Sequence, residues 1–303
     1  SDDTKEIDWT AFFSSDQDPD PILYAATASN PDSGASTILN FFEDDEINYD
    51  DVAARLSLQK RFTDTTQGFL SYNRGIKGGN WTLSSGVSPD RFQHREEVLN
   101  AYEIGIKSDV TETFRVNATV FYYDYEDYQT FIATPQGAVS PNPQVGNSDA
   151  TVFGGEVELF ILPGDNWDIM LGLALNDSEV ESVEAGSVPI VNAELPNAPN
   201  VSANYMVRFS PPMGNGELIA QIDGAYYGDQ FLEVTNGSGT VQDAYNVTNL
   251  RLGWRNNNWS ISAWGKNVFD ERYKAYSLDL GVLGATSFYA PPATYGVTLE
   301  AYF

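Results

Sequence analysis

Residues 293–303 read A-T-Y-G-V-T-L-E-A-Y-F, and this stretch decides the fold class of the chain. Side chains alternate between the two faces of a β-strand, so a period of two predicts a strand with one apolar face. We expect a chain that stops on such a strand to be a membrane barrel rather than a soluble sandwich. The apolar row comprises Tyr295, Val297, Leu299, Ala301 and Phe303.

The composition excludes several function classes. The 303 residues include 43 acidic and 16 basic side chains, for a formal net charge of −27. Nucleic acid binding requires a basic surface, so it is excluded. Cysteine is absent, which excludes disulfides and thiolate metal sites. The single histidine, His94, excludes a metal site built from several histidines.

Hydrophobic residues are dispersed rather than clustered. No apolar run approaches the roughly 18 residues that a transmembrane helix needs. Instead 17 Tyr, 17 Phe and 6 Trp are spread along segments of alternating polarity. Strands of alternating polarity with aromatic residues at both interfaces are typical of a transmembrane β-barrel.

The connections between these segments alternate between short and long. Short turns such as T-D-T-T at residues 63–66 lie at one end of the predicted antiparallel sheet, and long polar loops lie at the other. Outer-membrane barrels have tight periplasmic turns and long extracellular loops, whereas a sandwich would mix the two lengths. Eleven strands are predicted, at residues 52–62, 67–75, 99–109, 114–131, 151–162, 167–177, 201–209, 217–227, 245–255, 259–270 and 293–303.

The chain divides into two parts by pattern. Residues 1–51 are rich in Asp, Ser and Pro and are predicted to be an extracellular acidic loop segment. Residues 52–303 carry the strand pattern. The acidic segment offers oxygen ligands for calcium, although Pro19 and Pro21 replace flexible turn residues, which favours a solvated loop. The candidate calcium ligands are Asp16, Asp18, Asp20, Glu43, Asp44 and Asp45.

Five segments resemble the C-terminal half of a TonB-dependent outer-membrane receptor. They occur in the order of that family and span most of the chain from residue 52 onward. The segments are Y-N-R-G-I-K-G-G-N at 72–80, A-Y-E-I-G-I-K-S at 101–108, V-F-Y-Y-D-Y-E-D-Y-Q at 120–129, N-V-F-D-E-R-Y at 267–273 and P-P-A-T-Y-G-V-T-L-E-A-Y-F at 291–303.

The resemblance implies a location, partners and a mechanism. It implies an outer-membrane barrel of about 22 strands, of which eleven lie here. The remaining strands and the plug domain would belong to an N-terminal half, through which the TonB complex delivers energy. We expect the chain to begin at a break in an extracellular loop and to contact lipid and lipopolysaccharide. Tyr295 and Phe303 would belong to the terminal signal read by the barrel-assembly machinery.

Candidate ligand-binding residues lie in the predicted extracellular loops. Aromatic and polar side chains there could contact a substrate that enters the barrel, although packing between neighbouring loops is the favoured explanation. One group, after the second strand, comprises Trp81, Phe92, His94 and Arg95. The others are Asp229, Phe231 and Glu233, followed by Tyr276 and Tyr289.

The functional prediction is a TonB-dependent importer of a scarce nutrient such as a ferric siderophore. One histidine and no G-x-S-x-G motif leave no plausible hydrolase site, so no enzymatic activity is expected. Two alternatives remain open, a passive porin and a soluble carbohydrate-binding sandwich. The acidic character of the loops does not indicate whether the substrate is a siderophore, cobalamin, haem or an oligosaccharide.

Overall fold

The computed structural model describes residues 10–11, 51–81, 93–133, 143–183 and 190–302. Several predicted site residues lie outside these ranges, and the side chain of Trp81 is also not described. Among the described residues, no helix has the length and apolar character to cross a membrane. The predicted residues outside the ranges are Asp16, Asp18, Asp20, Glu43, Asp44, Asp45, Phe92 and Phe303.

The described residues form one 14-stranded antiparallel sheet and three short hairpins. Eleven strands of the sheet are long, as the alternating pattern predicts. They are β1 (Val52–Arg61), β2 (Thr66–Lys77), β3 (Glu97–Thr111), β4 (Phe114–Ile132), β5 (Gln144–Ile161), β6 (Trp167–Val183), β7 (Val201–Phe209), β8 (Gly216–Tyr227), β9 (Tyr245–Arg255), β10 (Trp259–Lys266) and β11 (Thr294–Ala301).

Short elements complete the described structure. Three of them extend the main sheet: Thr10–Ala11 pairs with β1, Ile190–Ala193 with β6 and Pro212–Met213 with β8. The hairpins pair Asn80–Trp81 with Gln93–His94, Gln230–Phe231 with Val241–Gln242, and Lys274–Asp279 with Ala285–Tyr289. Two 3₁₀ turns lie at Ser238–Thr240 and Gly281–Leu283.

Strand order in the sheet follows the chain from β1 to β11, and each long strand pairs antiparallel with the next. Short connections of two to six residues lie at one end, called the turn end here, and long connections lie at the other, called the loop end. The predicted fold class is therefore confirmed for the described part of the chain. This order brings all long loops together at one end of the sheet.

Three predicted boundaries differ from the structure by four residues or more. β6 continues to Val183 rather than ending at residue 177, because its last residues pair with β5 and with Ile190–Ala193. β5 starts at Gln144 rather than at residue 151, because Q-V-G-N-S-D-A lacks alternation but pairs with the extended end of β4. β10 ends at Lys266 rather than at residue 270. Asn267 and Asp270 adopt positive φ angles of 49° and 56°, which turn the chain out of the sheet.

The sheet has an apolar face and a polar face. Ile104, Ile106 and Val120 lie on the apolar face of β3 and β4, and each is more than two-fifths exposed. Trp167 and Phe209 meet on this face at the turn end, with ring centroids 4.5 Å apart. Such a surface requires an apolar solvent, which a lipid bilayer provides.

A tyrosine row marks the apolar face toward the loop end. The rings of Tyr72 and Tyr102 lie 5.1 Å apart, and those of Tyr102 and Tyr122 lie 6.4 Å apart. Beyond them the same face becomes polar: Arg74 donates to Asn100 over 3.1 Å and to Asp51 over 2.9 Å. Aromatic residues with an apolar side and a polar tip are typical of a membrane–water interface.

The hydrophobic core of the described chain lies at the loop end of the polar face. Side chains from β4, β5 and β6 pack there against residues of two long loops, and tyrosines surround them. This packing folds the loops over the sheet rather than away from it. The core residues are Ile132, Ala150, Val152, Val180, Val183, Ala193, Leu195 and Val234.

Candidate functional site at the loop end

The polar face carries carboxylates in its middle. The Tyr123 hydroxyl and the Ser71 hydroxyl donate to Glu103 over 2.9 and 3.2 Å. Nearby, the Asn117 side chain donates to Glu158 over 3.2 Å. A cavity of about 230 Å³ on this face is lined by Phe69, Glu103, Lys107, Asn117, Thr119, Phe121, Tyr123, Glu156 and Glu158. Three carboxylates face one ammonium group there, so the cavity favours a positively charged surface.

Glu233 joins three segments of the loop end. Its side chain is buried, with 3% of its surface exposed. One carboxylate oxygen accepts from the Ala133 backbone N–H at 3.2 Å, and the other accepts from the Asp279 N–H at 2.9 Å. Ala133 follows β4, Glu233 follows β8 and Asp279 follows β10, so one side chain connects three long loops.

Burial has an electrostatic effect on Glu233. Desolvation raises the pKa of its carboxyl above the ordinary value, although both backbone donors act in the opposite direction, and the nearby Asp279 charge adds to the increase. Glu233 is therefore a structural carboxylate that fixes the loops.

Asn236 makes a second connection between loops. The Glu194 N–H donates to its side-chain oxygen over 2.6 Å, and its amide nitrogen donates to the Glu194 carbonyl over 3.0 Å. Asn236 has a φ of 50°, a conformation that asparagine tolerates better than most residues. The loop after β6 is thereby tied to the loop after β8.

We predict that Asn236→Ala loosens this connection. The change removes both hydrogen bonds to Glu194 and places alanine, which tolerates a left-handed conformation less well than asparagine does, at a φ of 50°, for a cost of about 1–3 kcal/mol. Hydrogen exchange at the Glu194 amide should accelerate at least about tenfold. Asn236→Gly is the matched control, because it loses the bonds but accepts the backbone angle. Unchanged exchange at Glu194 in both variants would contradict the role.

The ligand-binding residues predicted from the sequence lie in or next to three separate hairpins. His94 is buried. Burial, and to a smaller extent the positive charge of Lys77, lowers the pKa of its imidazole. The Arg95 guanidinium forms an ion pair with Asp127. The backbone N–H of Arg95 donates to the side-chain oxygen of Asn147 over 2.7 Å. These contacts fix the loop after β2 onto β4 and β5, as the loop-packing alternative predicts.

The other predicted residues also pack within loops. The Asp229 carboxylate accepts from the Ala244 N–H at 2.6 Å, and Phe231 belongs to a short hairpin. The ring of Tyr276 lies 6.2 Å from that of Phe288, while the Arg272 guanidinium lies 4.2 Å from the ring centre of Tyr289. The structure does not assemble them into one site.

Two remaining predictions concern metal and assembly. Among the described residues, no group of three or more His, Asp or Glu side chains is placed to hold a metal ion. The calcium prediction falls outside those residues and stays a prediction. Tyr295 lies on the apolar face with 67% of its surface exposed. Its role with Phe303 as an assembly signal also stays a prediction.

Sequence reasoning missed Asn236 and the tyrosines at the loop ends of β8 and β9. The N-G pair at 236–237 is a turn signal that would have drawn attention to Asn236. Tyr227 is the last residue of β8, and Tyr245 is the first residue of β9. The strand patterns do not distinguish these two tyrosines from those expected at the membrane–water interface.

Comparison with protein families gives a match to the model described as TonB dependent receptor-like, beta-barrel, over residues 8–268. The chain belongs to the TonB-dependent receptor β-barrel family. The resemblance drawn from the five sequence segments is thereby confirmed. The family consists of receptors and transporters rather than enzymes, and its members lie in the outer membrane of Gram-negative bacteria. Because the chain belongs to this family, the alternative of a soluble carbohydrate-binding sandwich is excluded.

Solved structures share the TonB-dependent barrel fold. The ferric yersiniabactin uptake receptor FyuA from Yersinia pestis is 21% identical, with a TM-score of 0.69 over 85% of this chain and 38% of that one. The ferric-catecholate import receptor Fiu from E. coli is 16% identical, with a TM-score of 0.63 over 84% and 35%. The copper transporter OprC is 16% identical, with a TM-score of 0.62 over 84% and 40%. The chain spans less than half the length of these structures.

Proposed function

We propose that this chain forms the C-terminal half of the barrel wall of a transporter that imports a ferric siderophore or similar scarce nutrient, using energy delivered through TonB. The observation that carries the proposal is the closed loop end. Glu233 ties together the long loops after β4, β8 and β10. Residues of the loops after β6 and β8 pack over the polar face of the sheet, which is the luminal face in this proposal. Loops held in this way form a mouth that captures a ligand before transport.

The lateral edges of the sheet support a partner. Within the described structure, β11 pairs with β10 on one side alone, which leaves a row of backbone groups on its other side. Unpaired backbone N–H and C=O groups cost several kcal/mol each in lipid. We propose that about eleven further strands from the rest of the receptor close the barrel.

The luminal carboxylates support a plug. Glu103, Glu156 and Glu158 line a cavity with Lys107 as its one basic side chain. A basic surface of a plug domain in the lumen would complement this charge, whereas an empty lumen leaves it uncompensated. The proposed partner is the plug of the same receptor, which in turn contacts TonB.

Uptake of radioactive iron chelates by cells tests the function. Deleting the gene of the full-length receptor should abolish uptake of at least one chelate, and a TonB-deficient strain should lose the same uptake. Uptake that persists without TonB would contradict active transport.

The porin alternative has its own measurement. A porin has an open, water-filled lumen, so the full-length protein would give a large constant conductance in planar bilayers. We expect a closed channel instead, because loops and plug obstruct the lumen. A steady open conductance would favour the porin.

A further inference from the structure

A second cavity lies on the luminal face where β6 to β9 meet the loops. It has a volume of about 340 Å³ and consists of uncharged residues throughout. Two tyrosines, three side-chain amides and one hydroxyl supply its polar groups. The lining residues are Ala174, Asn176, Asn197, Pro199, Ser202, Tyr227, Gln230 and Tyr245.

Strand register builds the aromatic wall of this uncharged pocket. Ser202 is opposite Tyr227, and Tyr227 is opposite Tyr245, so the three side chains share one face of neighbouring strands. The rings of Tyr227 and Tyr245 lie 5.2 Å apart, and Tyr273 stacks on Tyr245 at 4.2 Å with planes 10° apart. Gln230 is buried beside them, with 7% of its surface exposed.

Backbone hydrogen bonds hold the rim of the pocket. The Asn197 N–H donates to the Phe231 carbonyl over 2.8 Å, and the Gly228 N–H donates to the Val201 carbonyl over 2.8 Å. The Asn176 N–H donates to the Asn200 carbonyl over 3.0 Å. The pocket is therefore formed before a ligand arrives, which reduces the entropic cost of binding.

Basic residues are scarce in the part of the sequence that forms the pocket lining. Between Arg115 and Arg251 the chain contains one basic residue, Arg208, and no histidine. Arg208 lies at the turn end and pairs with Asp168 over 2.8 Å, far along β7 from the pocket. The loops around the pocket carry four carboxylates, those of Glu194, Asp229, Glu233 and Asp243. They also carry Arg272 and Lys274 on either side of Tyr273, but neither lines the pocket. Arg272 lies over the Tyr289 ring, and the Lys274 ammonium donates to the backbone carbonyls of Gly239 and Val241.

The charge distribution disfavours an anionic ligand. An anion in a protein site is stabilised by charge-assisted hydrogen bonds from Arg or Lys, and neither lies among the pocket residues. Carboxylates in the adjoining loops add repulsion. Tyrosine rings and amides instead suit a neutral ligand with apolar surfaces and hydroxyl or amide groups.

We propose that the uncharged pocket binds the organic part of an iron chelate that carries no net negative charge. The proposal rests on the proposed import function and names its substrate class. Three hydroxamate groups with one negative charge each neutralise Fe³⁺, whereas three catecholate groups with two each leave three negative charges in excess. The transporter accordingly takes the hydroxamate type and rejects the catecholate type.

Binding to the full-length, detergent-solubilised receptor tests this assignment. The probes are a neutral ferric tris-hydroxamate and a trianionic ferric tris-catecholate, measured by calorimetry at equal ionic strength. We expect the neutral complex to bind at least about tenfold more tightly. Tyr245→Ala should weaken it about tenfold through loss of the stacked ring, while Tyr245→Phe should retain most of the affinity.

A charge-adding variant and three further outcomes complete the test. Asn176→Asp should weaken the neutral complex only modestly but exclude the anionic one further. Tighter binding of the catecholate complex would overturn the charge assignment and leave the import function standing. Equal binding of the hydroxamate complex to Tyr245→Ala and to the unchanged receptor would overturn the pocket. Failure of every iron chelate to bind or enter cells would instead contradict the import function itself.

Discussion

Glu233→Ala is expected to release the loops of the extracellular mouth. The change removes the acceptor of two buried backbone N–H groups, at Ala133 and Asp279, and each unsatisfied donor costs about 1–3 kcal/mol. Hydrogen exchange at the Ala133 and Asp279 amides should accelerate by at least about a hundredfold, and the loops should become sensitive to protease.

Two variants control for this effect. Glu233→Gln retains one carbonyl acceptor without the charge, so we expect it to preserve one of the two connections and much of the loop protection. Asp243→Ala removes an exposed carboxylate from the same loop and should change nothing. If Glu233→Ala leaves both amides as protected as in the unchanged protein, the connection of three loops through this side chain is wrong.

The raised pKa of Glu233 gives the mouth a pH dependence. The folded state binds a proton at Glu233 more readily than the opened state does, since burial raises the pKa and the opened loop restores the ordinary value. Loop stability should therefore increase as the pH falls through the window between the ordinary and the raised pKa. Glu233→Gln should abolish that increase, and a pH profile of exchange at Asp279 would measure it.

Ile106→Arg is expected to destabilise the barrel wall far more than a matched substitution on the luminal face. Ile106 lies on the apolar face of β3, between the tyrosine row and the turn end, with 42% of its surface exposed. An arginine facing lipid near the middle of the bilayer costs about 2–4 kcal/mol in a transmembrane barrel. Denaturant unfolding of the full-length receptor in lipid vesicles would measure the loss.

Thr119→Arg is the matched substitution on the other face. Thr119 lies next to Ala118, which is opposite Ile106, but its side chain lines the luminal cavity with Glu156 and Glu158. An arginine there meets opposite charges, so we expect a much smaller change in unfolding free energy. Similar losses for both variants would mean that the two faces have been assigned incorrectly.

The strands of this chain were largely predictable because one physical constraint repeats in each of them. Lipid on one side and a wet lumen on the other impose a period of two, and the predicted bounds of β7 and β9 agree with the structure. Where that constraint ends, so does the pattern. The first residues of β5 pair with β4 beyond the tyrosine row, toward the loop end. Their sequence does not alternate between polar and apolar residues, so the pattern does not predict this part of the strand.

The loop end was less predictable because its contacts are distant in sequence. Their spacing groups Asp229, Phe231 and Glu233 in one loop, but of these three residues it is Glu233 that joins three segments, through residues 133 and 279. Asn236 and the tyrosines of the pocket carry no local signal of their partners. Pairing across loops depends on the completed sheet, which composition and spacing do not encode.

Strand order has a kinetic consequence. Every long strand from β2 onward pairs with the strand that precedes it in the chain, so the wall can grow by adding one hairpin at a time with short loop closures. The bond from Ala133 to Glu233 instead spans a hundred residues and must await β8. We therefore expect the wall to form first and the mouth to close last, so that a nascent barrel would pass through a stage with its entrance open.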